Sequence, residues 1–328
     1  MTTAHTIAEK IGGALPLRRL LRDYGQIVIL ALGTIIFAAL EPAFVSTENL
    51  IGILYQISLI GIMAVCSTFV VISGGIDLSV GPVVALAGLM AAFTLEGTGL
   101  ALVPAVLAGI AIGAGVGLLN GLAVARFQLP PIVVTLAAMS IVRGAALLVG
   151  GSVLHLIREP AAFLFIGSGR AVGLPIPIFI FVGTAAIMWF IQTRTSFGLS
   201  VFAIGENAAA ARLCGLALTR VRTLVYLISG AGAGIAGVIL AAQVRTASAN
   251  YGNGIELDVI AAIVLGGTSL KGGSGAIYRS VIGALLIGGM NNGLSILNVS
   301  TDLQLVAKGV IIVVAIALDN FLYRWSES

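Results

Sequence analysis

The chain has 328 residues, of which 59% are hydrophobic and only 9% are charged, and its mean hydropathy is +1.13. Soluble domains carry about 25% charged residues, so this composition excludes an ordinary soluble enzyme. Disordered chains are polar and rich in charge, so disorder is excluded as well. The formal net charge of +4 is small, and we attribute it to membrane topology and not to nucleic-acid binding.

The sequence predicts an all-α, multi-pass membrane protein with a single domain, 1–328. A helix needs about 20 mostly apolar residues to cross a bilayer. Ten stretches approach that length after a predicted N-terminal tail at 1–24, and they are 25–44, 51–73, 79–97, 101–125, 131–150, 174–192, 222–243, 256–270, 277–297 and 303–322. The eighth stretch is the weakest of them, because its uninterrupted apolar core extends only from Val259 to Leu265.

The basic residues are unevenly distributed between the two sides of this ten-span scheme. If the N-terminus lies inside, the outer segments contain only Arg158, Arg170 and Arg245 of the 17 Lys and Arg residues, while Arg143 and Lys308 lie within spans. Cytoplasmic loops are enriched in Lys and Arg. We therefore expect ten spans with both termini in the cytoplasm.

Glycines are placed regularly along several of these spans. In the fourth span they recur at every fourth position, at Gly109, Gly113, Gly117 and Gly121. Such ridges let helix backbones approach closely, either within one subunit or at a subunit interface or pore. We expect tight packing within the subunit for this ridge and for the pairs Gly230–Gly234 and Gly289–Gly293.

Two glycine-rich interruptions, 73–81 and 265–273, break the apolar pattern in the two halves of the chain. Non-helical backbone at membrane depth is tolerated only where protein buries it or water reaches it. Paired interruptions are typical of transporters with internal repeats. The sequence thus predicts a weak internal repeat.

The sequence contains no constellation that predicts catalysis. Lys271 is followed by Gly272 where a phosphate-binding loop needs Ser or Thr, and GxSxG and HExxH motifs are missing. His5 and His155 do not form a pair, and Cys66 and Cys214 show no metal-binding spacing. We therefore predict no catalytic residues, no metal site and no cofactor of the chain's own.

Neutral polar side chains are better supplied in the spans than charged ones. Amides and hydroxyls exchange hydrogen bonds with an uncharged polyhydroxyl solute without trapping it, although they also bond neighbouring helices to each other. For Arg143 and Lys308 two interpretations remain, a structural bond to a carbonyl or carboxylate and a role in the path or its gating. A relay of buried carboxylates, which a proton-coupled carrier needs, is lacking.

The longest predicted inner loop, 193–221, contains a predicted short helix from Gly205 to Gly215. Glu206 and Asn207 suit a helix N-terminus, an alanine run follows, and Gly215 supplies the stop. A helix of small residues flanked by arginines could fit a groove on a cytoplasmic partner. The alternative is a solvated connector.

At this loop the chain resembles the permease subunit of ribose-type importers of the ATP-binding-cassette (ABC) class, which carry monosaccharides across the bacterial inner membrane. Four stretches carry the resemblance, in the family's order: 73–81 (SGGIDLSVG), 195–215 (TSFGLSVFAIGENAAAARLCG), 254–273 (GIELDVIAAIVLGGTSLKGG) and 288–294 (GGMNNGL). The similarity extends from about residue 25 to 322. One departure is Glu206, where relatives have a small or neutral residue.

The resemblance implies a lipid-embedded dimer with a second permease subunit, identical or a sister chain, two cytoplasmic ATPase domains that bind the ATP, and a periplasmic sugar-binding protein. The loop helix would dock into the ATPase through Gly205, Glu206, Asn207, Ala208, Ala211, Arg212 and Gly215. The candidates for the translocation path are Gln56, Asp77, Asn120, Asn291 and Asn292. Two alternatives stay open, a secondary carrier driven by an ion gradient and a membrane-embedded enzyme.

Overall fold

The computed structural model describes residues 14–99, 101–158, 160–310 and 313. These residues are mostly helical. The long elements are α1 (Ala14–Leu40), α2 (Thr47–Ile72), α3 (Val80–Gly97), α4 (Leu102–Arg126), α5 (Pro131–Gly150), α7 (Ile176–Arg194), α10 (Leu218–Val244) and α12 (Ile277–Ile296). The helix α1 begins at Ala14, so part of the predicted tail at 1–24 is helical, and residues 1–13 lie outside the described residues.

Shorter elements connect these helices. They are a 3-10 helix (Pro42–Val45), α6 (Ala161–Ser168), α8 (Ser196–Glu206), α9 (Ala208–Leu213), α11 (Ile255–Leu265) and the helical residues 301–310. Four two-residue strands complete the described chain, namely β1 (His155–Leu156), β2 (Arg170–Ala171), β3 (Leu174–Pro175) and β4 (Thr246–Ala247). β1 pairs with β4 and β2 pairs with β3, both antiparallel. The first pair joins two distant parts of the chain, and the second closes a local turn.

Among the described residues, six helices are long and apolar enough to cross a membrane: α2, α3, α4, α5, α7 and α10. They coincide with the second to seventh predicted spans. The helix α12 has 20 residues and carries Arg279, Asn291 and Asn292, and it is not among these six. The first predicted span lies in α1, and the tenth lies mostly outside the described residues.

The eighth predicted span, 256–270, is not a continuous helix. The helix α11 has 11 residues and ends at Leu265, where Gly266 and Gly267 turn the chain and Gly267 has a φ of +86°. At 1.5 Å per residue it is about 16 Å long, roughly half the hydrocarbon core. The sequence left open whether this segment spans fully or is broken, and the structure shows it broken, because the turn ends the helix before it can cross.

The glycine ridge of α4 packs against α10, as the spacing predicted. A Cβ on Gly113 would lie 2.8 Å from the Gly234 backbone, and one on Gly117 would lie 2.9 Å from the Tyr226 carbonyl carbon. These contacts place the ridge inside the subunit and make α4 and α10 a tightly joined pair. The pair Gly289–Gly293 does not form such a contact, because a Cβ on Gly289 would have nothing within 4 Å and Gly293 packs against a side chain, the Phe37 ring.

The buried centre of the bundle consists of α2, α3 and α10. In each of these three helices, between 61% and 72% of the apolar 18-residue stretch is buried, against 22% in α4, α5 and α7. The outer three helices therefore present most of their apolar side chains outward, where lipid can cover them, while the inner three position the polar groups described next.

Candidate functional site

The chain turns back into the bundle after α2. Gly74 has a φ of +81°, and the Gly75 N–H donates to the Val70 carbonyl at 2.9 Å. The following residues to Ser79 form neither helix nor strand. The helix α3 then begins at Val80, as the glycine-rich interruption predicted.

A buried polar cluster holds this returning segment. The Asp77 carboxylate accepts from the Ser79 backbone N–H at 3.0 Å and from its hydroxyl at 2.6 Å, and it accepts from the Ser229 hydroxyl at 2.7 Å. Ser67 lies 2.9 Å from Ser229, and the Asn120 amide donates to the Ser79 hydroxyl at 2.9 Å. The cluster ties α2, α3, α4 and α10 together and satisfies the carboxylate within the chain.

A second irregular segment, 245–254, lies between α10 and α11. The Arg143 guanidinium on α5 donates to its carbonyls, to Tyr251 at 2.8 Å and to Ala249. Gly254, with a φ of +79°, precedes the start of α11. Arg143 therefore forms structural bonds to backbone carbonyls, which was one of its two interpretations.

The N-termini of α3 and α11 meet inside the bundle. A Cβ on Gly81 would lie 2.6 Å from the Gly252 carbonyl oxygen and would overlap Glu256 Oε2. The Glu256 side chain is buried, and its Oε2 has no hydrogen-bond partner among the described residues. Because a helix N-terminus is the positive end of the helix dipole, Asp77 and Glu256 supply negative charge to the two meeting ends.

The chain directions make this arrangement an inverted one. α3 is parallel to α10, α11 is antiparallel to α12, and α2 is antiparallel to both α10 and α12. The contacts that fix these directions are Val84–Gly237, Gly88–Ala241, Ala262–Gly283, Gly266–Arg279, Cys66–Gly232, Ser67–Ser229, Ile57–Gly288 and Thr68–Ser280. The same order of elements therefore occurs twice, in opposite directions. In each half a long helix is followed by an irregular segment and then by a second helix that begins inside the bundle, as in transporters built from inverted repeats.

Lys308 binds the last described helix to α11. Its Nζ lies 3.0 Å from each carboxylate oxygen of Asp258. Both residues are largely buried, so the pair joins residues 301–310 to α11. Lys308, the second basic residue predicted within a span, therefore also has a bonded partner.

The remaining path candidates lie between α2 and α12. Asn292 exchanges two amide hydrogen bonds with Asn49, at 2.9 and 3.0 Å. The Asn291 Oδ1 is buried and has no partner among the described residues, and Gln56 is exposed. The structure thus brings Asp77 and Asn120 together but leaves the other three candidates outside that cluster.

The predicted helix from Gly205 to Gly215 is interrupted. α8 extends to Glu206, and Asn207 begins a separate helix, α9, because its Oδ1 accepts from the Ala209 and Ala210 N–H groups at 3.0 Å each. The predicted helix therefore exists, with Asn207 at its N-terminus and Gly215, with a φ of +81°, after its end, but it starts at Ala208 and not at Gly205.

The predicted coupling residues face two ways. A Cβ on Gly205 would lie 2.5 Å from the Gly273 backbone nitrogen, and Ala211 is buried, so both pack against their own chain. Glu206, Asn207, Arg212 and Gly215 are exposed, and Ala208 is partly buried. Leu213 is 90% exposed at the end of α9.

Sequence reasoning missed Glu256 and Leu213. Glu256 lies within the quoted stretch 254–273, and a carboxylate in an apolar run was the available signal. Leu213 had no comparable signal, because its exposure depends on how α9 packs against the rest of the chain.

Both glycine-rich interruptions meet the end of α8. The Gly273 N–H donates to the Ile72 carbonyl at 2.9 Å, and a Cβ on Gly272 would lie 3.0 Å from Gly74 and 3.1 Å from the Gly205 carbonyl. We call this contact of residues 72–74, 205–206 and 271–273 the backbone joint. It joins the end of α8 to both glycine-rich interruptions.

Comparison with known proteins gives a consistent result. A family model described as "branched-chain amino acid transport system / permease component" matches residues 49–316. The chain is 38% identical to the ribose import permease protein of Bacillus subtilis (strain 168), over 92% of this chain and 93% of that one. It is 39% identical to the ribose import permease protein of Escherichia coli (strain K12), over 92% and 94%.

An L-arabinose ABC transporter permease protein of Azospirillum brasilense is 35% identical, over 88% of this chain and 85% of that one. No solved structure matches the chain.

Proposed function

The chain belongs to the transport-system permease family whose model matches residues 49–316, and we propose that it is the membrane subunit of an ABC importer of a monosaccharide. The carrying observation is that relatives covering more than nine-tenths of both chains are ribose import permeases. Transport would cross the bacterial inner membrane, and a separate ATPase would bind and hydrolyse the ATP. A binding protein outside would deliver the sugar.

The proposed topology has ten crossings with both termini in the cytoplasm. α11 contributes one crossing together with the irregular segment 245–254, since about 16 Å of helix does not span alone. The region 193–221 is the proposed coupling segment of a single domain, 1–328. Two such subunits, identical or sister chains, would enclose the path.

The ATPase contact is proposed on α9 and the end of α8. Glu206, Asn207, Ala208, Arg212 and Gly215 would form it. Gly205 and Ala211, which face the chain, would transmit the movement to the backbone joint.

The proposed path keeps the five polar candidates in two roles. The exposed Gln56 and the unpartnered Asn291 Oδ1 are free to exchange hydrogen bonds with sugar hydroxyls. Asp77, Asn120 and Asn292 are bonded within the chain, and they would fix the path's walls.

A transport assay in proteoliposomes tests this proposal. Uptake of a labelled sugar should require the ATPase, the binding protein and ATP, and replacing residues 206–212 by a Gly/Ser stretch should abolish uptake while membrane insertion persists. Uphill uptake by this chain alone, dependent on a proton or sodium gradient, would contradict the proposal and establish the secondary carrier. The matched control replaces the exposed outer residues 151–154 by the same kind of stretch.

A further inference from the structure

A cavity of about 190 Å³ lies between α1, the end of α11 and α12. Its walls include Ile29, Gly33, Phe37, Leu265, Gly289 and Met290. None of the five path candidates and none of the proposed ATPase-contact residues is among its lining residues. The cavity is therefore separate from the parts proposed for transport.

The lining of this cavity is apolar. Among the described residues that line it, Thr34 alone has a polar side-chain group, and its hydroxyl donates to the Leu30 carbonyl at 2.8 Å. A sugar or a phosphate group would give up its hydrogen bonds to water there without replacement, which is costly. Apolar cavities of about 150 Å³ stay dry and bind apolar molecules. The lining therefore selects an apolar ligand.

The cavity is open because two facing helices carry glycines at its walls. A Cβ on Gly33 of α1 or on Gly289 of α12 would have nothing within 4 Å. The adjacent Gly288, by contrast, packs directly against the Ile57 side chain. Protein interiors contain few voids larger than a water molecule, so a space of this size calls for an occupant.

An aromatic wall keeps the space from closing. The Phe37 ring lies 5.2 Å from the Phe44 ring, measured between centroids, and it also packs against Gly293. Phe44 is only 3% exposed. Contacts on two sides therefore hold the Phe37 ring in place at the edge of the cavity.

The cavity lies at the depth of the hydrocarbon core. Its residues on α1, 29–37, lie within about 8 Å of the middle of the predicted first span, 25–44, at 1.5 Å per residue. The hydrocarbon core extends about 15 Å to each side of its middle. Ile29 at the cavity is 54% exposed, and Leu32 and Ile36 on the same helix are 54% and 56% exposed. The cavity therefore reaches an apolar surface that lipid covers.

Size and depth together select an acyl chain as the occupant. One turn of a helix, about 10 Å wide and about 5.4 Å long, fills about 400 Å³, so a helix of a second subunit does not fit. Water is absent at this depth. We propose that the cavity holds an acyl chain of a membrane phospholipid, which packs between α1 and α12. The acyl chain supplies the volume that Gly33 and Gly289 leave empty.

Photolabelling of the full-length chain tests the proposal. The purified protein is reconstituted with phosphatidylcholine that carries a diazirine in one acyl chain, illuminated, and mapped by mass spectrometry. Leu286 and Met290, which are partly buried in the cavity wall, should be labelled. Their labelling should be at least as strong as that of Ile141, which is 70% exposed at the middle of α5.

Gly33→Leu and Gly289→Leu fill the cavity from its two walls. Each should remove most of the Met290 labelling and leave the Ile141 labelling unchanged. The matched control is Gly183→Leu on α7, because a Cβ there also has nothing within 4 Å and Gly183 does not line the cavity. It should change neither signal. If one filled variant does not fold, the other and the wild type still decide.

Thermal unfolding in detergent micelles gives a second readout. Adding phosphatidylcholine to the delipidated wild type should raise its unfolding midpoint, because a ligand that binds only the folded state stabilises it. Gly33→Leu and Gly289→Leu should gain less from the lipid, because a leucine side chain already occupies the space. Gly183→Leu should gain as much as the wild type.

Three results would overturn the proposal. Labelling of Ile141 without labelling of Leu286 and Met290 would show that no acyl chain enters the cavity. Unchanged labelling in both filled variants would show that the reagent reaches α12 from elsewhere. A changed oligomeric state of the filled variants, with the same gain from lipid as the wild type, would assign the cavity to a side chain of a second copy. Because neither readout requires ATP or sugar, the proposal can fail or succeed independently of the transport assay.

Discussion

The α4–α10 contact gives a quantitative prediction for Gly113→Ala. The new Cβ would lie 2.8 Å from the Gly234 backbone and would overlap the Gly230 carbonyl oxygen, whereas ordinary contacts begin at 3.4 Å. The neighbours are backbone atoms, so the helices must separate along their shared ridge. Overpacking of this kind costs about 1–3 kcal/mol in the free energy of unfolding. We expect a value toward the upper end, because no side chain can rotate away.

Gly115→Ala is the matched control on the same helix, since a Cβ there has nothing within 4 Å. Higher helix propensity should leave this variant unchanged or stabilise it by up to about 1 kcal/mol. The measurement is denaturant-induced unfolding of both variants in the same detergent micelles. Equal stabilities for the two variants would refute the close approach of α4 and α10.

Three further predictions concern the polar contacts. Asn207→Ala should destabilise α9 by about 1 kcal/mol, because the helix loses its cap. The same variant should weaken ATPase binding in a pull-down. Leu213→Ala should weaken that binding without changing the melting temperature. Lys308→Met should destabilise the protein by about 3–5 kcal/mol because it leaves Asp258 unpaired, and adding Asp258→Asn should restore most of that loss in the same unfolding assay. Asp77→Asn should lower both stability and uptake, because an amide offers one acceptor where the carboxylate uses two oxygens; an unchanged unfolding midpoint would count against the cluster.

Local patterns predicted the second to seventh spans well, because each of these depends on a continuous run of apolar residues. They also located the glycine ridge of α4 and the start of α3. The continuity of the eighth span stayed open, because apolar composition alone does not distinguish a half-length helix from a full one, and the structure shows that Gly266 and Gly267 turn the chain.

The sequence predicted that Asn207 lies at a helix N-terminus, and its side chain does cap α9. It did not show that α8 extends to Glu206 directly before that cap. The meeting of α3 with α11 could not be predicted for a different reason. The proximity of Gly81 to Glu256 joins residues far apart in sequence, and no local pattern encodes it. The sequence therefore indicated which segments matter but not how they face one another.

The backbone joint consists of main-chain atoms: the Ile72 carbonyl, the Gly273 N–H and the Gly205 backbone. Because these contacts join main-chain atoms, no change of side-chain rotamer is needed to connect the three segments. Under the proposed coupling, a push of the ATPase on α8 would reach both inverted halves through this one contact.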